Sequence, residues 1–432
     1  MLYALGCSPS PVHGRGGLGG KGYTQGSEEV CGMAVLHKPV KLAVVGGQRG
    51  AAFGQALDAY RERVELTAIC DISEGVLARW RKDYPGIQTY TSYEEMLGSA
   101  DATAVFLATP MDLHAAQAIQ ALEAGKHVVS EVIAGTTLDE CWQLVEAVER
   151  TGLVYMLAEN YCYMRPNMMV RNMAQQGVFG QITYAEGAYV HDCRHLLYTD
   201  DGELTWRGDY RLKYNGNTYP THSLGPVAQW MGVNRPGGDW LVSVAAFLTG
   251  APACRVYAKQ RFGPDHPAAQ KGYWRHADSV TTVIQTARQA VIVLRLDINS
   301  ARPHNMTHYL LQGTQASYLA ARRHGEDPLI WIDGRSPGES PGDAEWEALW
   351  QYADEYEHPY WRESGAEAQA MGHGGGDFFV LRDFIDAIQT GVRPAIDIYD
   401  AVTWSCIMPL SFESIARGGA SVEIPQFVRN RE

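Results

Sequence analysis

The chain has 432 residues, 46% of them hydrophobic, and a formal net charge of −13 from 36 basic and 49 acidic side chains. That length can bury a large core and commonly divides into two domains, while the acidic balance disfavours nucleic acid and anionic membrane surfaces as partners. No apolar run approaches the roughly 18 residues of a membrane span, and the eight cysteines form neither a C-x-x-C pair nor a zinc-ligand spacing, which reads as reduced thiols in a cytoplasmic protein.

Residues 1–37 read as a flexible, Gly-rich leader. "GRGGLG" at 14–19 spells G-x-G-x-x-G, but that fingerprint works only between a strand and a helix, where glycines bring backbone N–H groups onto a pyrophosphate. Here Pro9 and Pro11 precede it, "GKGYTQGSEEV" follows without apolar periodicity, and no acid falls at the ribose-binding distance. "LGC" at 5–7 has neither a basic nor an apolar stretch before it, unlike a lipoprotein signal, and Met33 is a candidate start.

Regular structure begins at "VKLAVVGGQRGAAFGQALDAYRERVELTAICDI". Leu42 to Val45 suits a buried parallel strand, a Gly-rich turn follows, and Ala51 to Tyr60 has helical character. Gly47 and Gly50 occupy the second and third glycine positions of the fingerprint, with Val45 at the first. The next strand, Val64 to Cys70, ends at Asp71, whose carboxylate would accept hydrogen bonds from the adenosine ribose and repel a 2′-phosphate, favouring NAD over NADP. "ATAVFLAT", a helix from His114 to Ala124, "HVVSEV" and a helix from Leu138 to Arg150 after Thr136 and Thr137 continue the alternation of a doubly wound sheet.

From Tyr184 the pattern changes to longer alternating strands: "ITYAEGAYV", "LVSVAAFLT", "SVTTVIQT", "AVIVLRLDI" and "HYLLQGT". The expected fold is therefore α/β, an N-terminal Rossmann doubly wound parallel sheet (38–165) plus a C-terminal α+β domain (166–432) with a mostly antiparallel open sheet. An excursion over 319–376 is expected to hold a helix capped at Asp343, with Trp346, Leu349, Trp350 and Ala353 as its packing face.

Candidate chemistry lies where the second sheet would face the nicotinamide. In "AEGAYVHDCR" the strand period puts Tyr189 and His191 on one face and Glu186 and Val190 on the other. In "NGNTYPTHSLGPVAQWM" Pro220 breaks the chain, Thr221 can cap, and Leu224, Val227, Ala228 and Met231 form a buried helical stripe. His222 then sits in the first turn, where the positive helix end disfavours imidazolium and leaves the ring a proton acceptor, with Tyr219 beside it.

"ATPMDLHAAQAIQALEAGKHVVSE", "GVFGQITYAEGAYVHD", "NGNTYPTHSLGPV" and "GHGGGDFF", in that order, resemble the Gfo/Idh/MocA oxidoreductases from about Val40 to Phe427. "YPTH" after "NGN", with "GHGG", is most similar to the branch of NAD-dependent glycoside hydrolases that act as α-N-acetylgalactosaminidases. Sugar dehydrogenases of the wider family carry Glu-Lys-Pro after the "GKHV" strand; this chain has Glu131, Val132 and Ile133, and valine carries no proton. The resemblance implies a redox-neutral cycle: NAD⁺ takes hydride from C3 of the sugar, the acidified C2 proton is removed, the aglycone leaves C1, water adds, and hydride returns. It implies sugar-binding and proton-transfer roles for Tyr189, His191, Arg207, Tyr219 and His222. The chain departs from the branch at His304, where Arg-Pro-Tyr becomes Arg-Pro-His, and at Ser223, where "THG" becomes "THS".

The candidate set is thus His222, Tyr219, Tyr189 and His191 as catalytic residues and Arg207, His304 and His373 as substrate-binding ones. NAD is expected on Gly47, Gln48, Arg49, Gly50, Asp71, Thr109, His114, Glu131 and Asn160, and no metal is expected, since no H-E-x-x-H or comparable cluster is present. The expected partners are a small-molecule glycoside or sugar and further copies of the chain. Two alternatives stay open: a sugar or polyol dehydrogenase with net hydride transfer, in which His or Tyr replaces the lysine, and a non-catalytic NAD-binding protein.

Overall fold

The computed structural model describes residues 38–303, 307–338, 340 and 342–428. The "GRGGLG" stretch and His304 lie outside them.

Six strands form the first sheet: β1 (Val40–Val45), β2 (Val64–Cys70), β3 (Gln88–Tyr90), β4 (Ala104–Leu107), β5 (His127–Ser130) and β6 (Tyr155–Leu157). All pair in parallel in the order β3-β2-β1-β4-β5-β6, the doubly wound arrangement whose strand order reverses between β1 and β4. Both central strands are apolar and buried, as helices on both faces require. The helix Leu138–Thr151 starts with a capping box in which Thr137 and Glu140 satisfy each other's backbone N–H groups, and ends on Gly152 at φ 65°. Helical structure after β1 begins at Gly47 rather than Ala51.

The second sheet has nine strands. They are β7 (Ile182–Val190), β8 (Leu241–Leu248), β9 (Ser279–Thr286), β10 (Val291–Asp297), β11 (Thr307–Gly313), β12 (Ala316–Leu319), β13 (Leu329–Ile332), β14 (Glu347–Ala348) and β15 (Val422–Glu423). The order is β14-β13-β12-β11-β7-β10-β9-β8-β15, antiparallel except for the β7–β10 pair.

One expected element is replaced. Residues 343–352 do not form the expected α-helix: Glu347 and Ala348 pair with Ile330 and Leu329 as β14, and a short 3-10 turn, Leu349–Tyr352, leads into the helix Ala353–Tyr356. The Tyr352 hydroxyl donates to Glu347 (2.6 Å) and the Trp350 indole N–H to Asp327 (2.9 Å), so tertiary partners outbid helical periodicity. Of that stripe Leu349 is fully buried, Trp350 and Ala353 pack against the core while partly buried, and Trp346 is exposed.

The helix Thr221–Trp230 packs on β7. Contact is close because residue 187 is glycine: a Cβ there would stand 2.0 Å from the carbonyl oxygen of Ser223. This approach brings the first helical turn to the strand end that carries Tyr189.

Candidate active site

The cofactor side is built from the ends of the parallel strands. β1 runs into Gly46 at φ 88°, where a Cβ would meet the Ala108 carbonyl at 2.5 Å, so the loop lies against the end of β4 with no room for a side chain. The turn Gly47–Gly50 then starts the first helical structure after β1. Asp71, just past β2, accepts the N–H groups of Gly47 and Ser73, both at 2.8 Å. Gln48 accepts a hydrogen bond from Arg79. Arg49 reaches across to Glu131, past the end of β5, with Nε and a terminal nitrogen 2.7 and 2.6 Å from one carboxylate oxygen.

Thr109 and His114 are structural braces of this crevice. The Thr109 hydroxyl donates to Gln117 (2.6 Å), and the buried His114 ring lies between the carbonyls of Ile133 (2.9 Å) and Thr109 (2.8 Å). Burial pushes that imidazole below its ordinary value, the two carbonyls opposing the shift. Asn160 donates its amide to Asp377 (2.8 Å), while its own side-chain oxygen is buried and unpartnered. The side-chain-free Gly46 cradle, a helix start at the switch point, an acid ending β2 and an orphaned buried acceptor at Asn160 fit a dinucleotide.

Opposite the strand ends lies a cluster of rings around His222, the side expected to meet a sugar. Tyr161 stacks on the imidazole (centroids 3.9 Å apart, planes at 13°), and Tyr219 and Tyr189 meet it edge-on at 4.8 and 5.1 Å. Tyr189 also stacks with Tyr219 (5.3 Å) and lies 5.5 Å from His191. Thr221 is the first helical residue and not the cap: Pro220 takes that position, and the Thr221 hydroxyl is buried without a partner.

Sequence reasoning missed the residue that defines this histidine. Glu159, fully buried after β6, holds Nδ1 of His222 between its two oxygens at 2.7 and 2.9 Å. A carboxylate accepts only, so Nδ1 carries the hydrogen and the lone pair of the neutral ring sits on Nε2. Tyr309 anchors the turn by donating its hydroxyl to the His222 carbonyl. Tyr161, Tyr309 and Glu159 lie 61, 87 and 63 residues from His222 in sequence, and no spacing rule connects them. The one available signal is an acid inside an apolar run, "YMLAENYCY".

Electrostatics divides the cluster into donors and one acceptor. Burial, aided by the Tyr189 phenol and Glu131, holds the Tyr219 phenol well above its ordinary value. Burial likewise raises Tyr189, against the pull of Arg49, Arg211 and Arg207. Both phenols stay protonated and donate.

Two further expected residues border the cluster. Arg207, in the helix Trp206–Lys213, is exposed with its guanidinium 4.3 Å from the Trp206 ring. His373 is held at φ 51°, with Nδ1 2.9 Å from Asp377, the carboxylate that Asn160 also grips, and its ring 6.4 Å from Tyr161. Among the described residues no group of three or more His, Cys, Asp or Glu could hold a metal ion, and no helix is long and apolar enough to cross a membrane.

Comparison with known proteins bears directly on this crevice. Residues 40–159 match the oxidoreductase family with an NAD-binding Rossmann fold, and residues 163–431 match the glycosyl hydrolase 109 C-terminal domain. A glycosyl hydrolase family 109 protein of Stenotrophomonas maltophilia (strain K279a) is 34% identical over 419 residues, covering 90% of this chain and 89% of that protein. The chain belongs to glycosyl hydrolase family 109. A second family 109 protein, from Shewanella putrefaciens (strain CN-32 / ATCC BAA-453), is 36% identical over 418 residues, covering 94% of this chain and 89% of its own. Among solved structures, levoglucosan dehydrogenase in complex with NADH and L-sorbose superposes with a TM-score of 0.72 at 20% identity, over 90% of this chain and 100% of that one. At that identity the likeness concerns the fold. This family 109 chain is therefore an NAD-dependent enzyme with the Gfo/Idh/MocA architecture.

Proposed function

We propose that the protein is an NAD-dependent glycoside hydrolase that cleaves its substrate without net oxidation. The observation that carries this reading is the Glu159–His222 pair enclosed by Tyr161, Tyr189 and Tyr219, with Val132 after β5 where a dehydrogenase lysine would stand. Bound NAD supplies a hydride acceptor at the sugar C3 and returns the hydride at the end of the cycle.

Gly47, Gln48, Arg49, Gly50, Asp71, Glu131 and Asn160 would hold the cofactor, with Thr109 and His114 shaping its crevice. His222 accepts the C3 hydroxyl proton at Nε2, and Glu159 stabilises the resulting imidazolium, as carboxylate–histidine pairs do in acyl transfer. The protonated Tyr219 and Tyr189 donate to sugar oxygens and exclude water, and Arg207 and His373 line the entrance. Val132 makes net alcohol oxidation through a lysine relay unavailable.

A panel of nitrophenyl glycosides tests the reading, with aglycone release and NADH absorbance recorded together. The expected result is aglycone release without NADH accumulation, and exchange of the sugar C2 hydrogen with solvent deuterium. Stoichiometric NADH with an intact glycosidic bond would replace the hydrolase by a sugar dehydrogenase.

A further inference from the structure

Cys193 lies three residues beyond the end of β7, and its sulfur is 3.2 Å from Nδ1 of His191. Both residues hang from an extension of the β7–β10 pairing: the His191 N–H donates to the Asp297 carbonyl (2.8 Å) and the Cys193 N–H to that of Ile298 (2.9 Å). The backbone at both residues that make the sulfur–imidazole contact is therefore held. Around it stand Arg207 and Arg211 from the helix Trp206–Lys213, the ring of Tyr189, and Asp192, which is paired with Arg194.

Burial, opposed by Arg211 and Arg207, pushes the Cys193 thiol up to about 11. At neutral pH the group is an S–H, and imidazole nitrogen is a far better acceptor than thiol sulfur. A neutral imidazole has one N–H and one lone pair, so whatever occupies one nitrogen decides what the other presents. His222 gives its Nδ1–H to Glu159. His191 meets the Cys193 sulfur at the same ring position.

We propose that Cys193 is a positioning residue that holds His191 in the Nε2–H tautomer, so that the two histidines beside Tyr189 have opposite polarity, His222 an acceptor and His191 a donor. Their use on sugar oxygens rests on the glycosidase reading; the tautomer does not. An enzyme that takes a proton from one sugar hydroxyl and gives one to another oxygen needs both polarities at once.

The test is long-range proton–nitrogen correlation on the full chain labelled at histidine, with the His191 signals assigned by their loss in His191→Gln. The expected result is an Nε2–H pattern for His191 in the wild type and in Cys193→Ser, and a shift toward the mixed pattern in Cys193→Ala. Aglycone release by Cys193→Ala should fall about tenfold in kcat, the scale of one lost hydrogen bond, with NAD binding retained and most activity restored by Cys193→Ser. An Nδ1–H pattern in the wild type, a spectrum unchanged by Cys193→Ala, or an unchanged kcat alongside a shifted spectrum would overturn the proposal. The expected spectra from a protein that cleaves no glycoside would uphold the tautomer and reject the glycosidase reading.

Discussion

On the cofactor side, Gly46, Asp71, Thr109, Glu131 and Asn160 sit at the ends of successive parallel strands, and the strand order alone brings them together. On the sugar side, Glu159, Tyr189, His222 and Tyr309 come from a post-strand turn, two strands and a helix, joined by side-chain contacts across as many as 87 residues of sequence. The first arrangement is made by backbone and tolerates a degenerate motif; Val45 in place of the first glycine does no harm where Gly46 makes the close approach. The second depends on particular side chains and tolerates little.

That contrast is sharpest at His222. His222→Ala should lower kcat by roughly 10²-fold or more, the range for losing a general base, while NAD binding persists. Tyr219→Phe should lower kcat with the same sparing of the cofactor. Stopped assays with NAD titration separate the two readouts, and a parallel loss of NAD affinity would mean that the two sides are not independent.

Glu159→Gln should come next, at about 10- to 100-fold in kcat. The isosteric amide can donate to Nδ1, which moves the ring hydrogen to Nε2 and turns the acceptor into a donor. Its effect should exceed that of Glu159→Asp, and equal activities would remove the tautomer from the explanation.

Gly187→Ala tests a place where backbone geometry sets the position of His222. A methyl group 2.0 Å from the Ser223 carbonyl must displace the helix Thr221–Trp230, and overpacking of this kind costs about 1–3 kcal/mol. Denaturant unfolding should show the loss, and aglycone release should fall with it because His222 leaves Tyr189.

On the cofactor side smaller effects are expected. Asp71→Ala should reduce the preference for NAD over NADP by about tenfold, one hydrogen-bonded charge being worth roughly 1.4 kcal/mol. Extraction of the bound nucleotide gives a direct reading, and recovery of NADP alone from the wild type would displace Asp71 as ribose ligand. A chain started at Met33 should bind NAD like the full chain, because the glycines at 46, 47 and 50 serve the purpose that "GRGGLG" only spells.

The parallel sheet was legible because strand, turn, helix and acid recur in a fixed order, and the Thr137 cap and the alternation of Tyr189 with Val190 follow from local periodicity. Strand period and the helix start after Pro220 pointed to Tyr189, His191, Tyr219 and His222, to which the family resemblance added roles, and the structure gathers them around one ring system. Glu159 was not legible because burial and a contact across 63 residues, not spacing, make it the partner of His222. The helix expected after Asp343 failed for a related reason: its apolar stripe was real, but Asp327 and β13 offered better partners than its own backbone.

Glu159 is the last residue of the stretch that matches the NAD-binding fold, and His222 lies within the stretch that matches the family 109 C-terminal part. Loss of the imidazole would leave a carboxylate with 0% exposure without its ring partner, and an uncompensated buried charge costs about 3–5 kcal/mol. The stretch that matches the NAD-binding fold thus supplies the buried anchor for a ring carried by the stretch that matches the C-terminal part, and the two are coupled through that one contact.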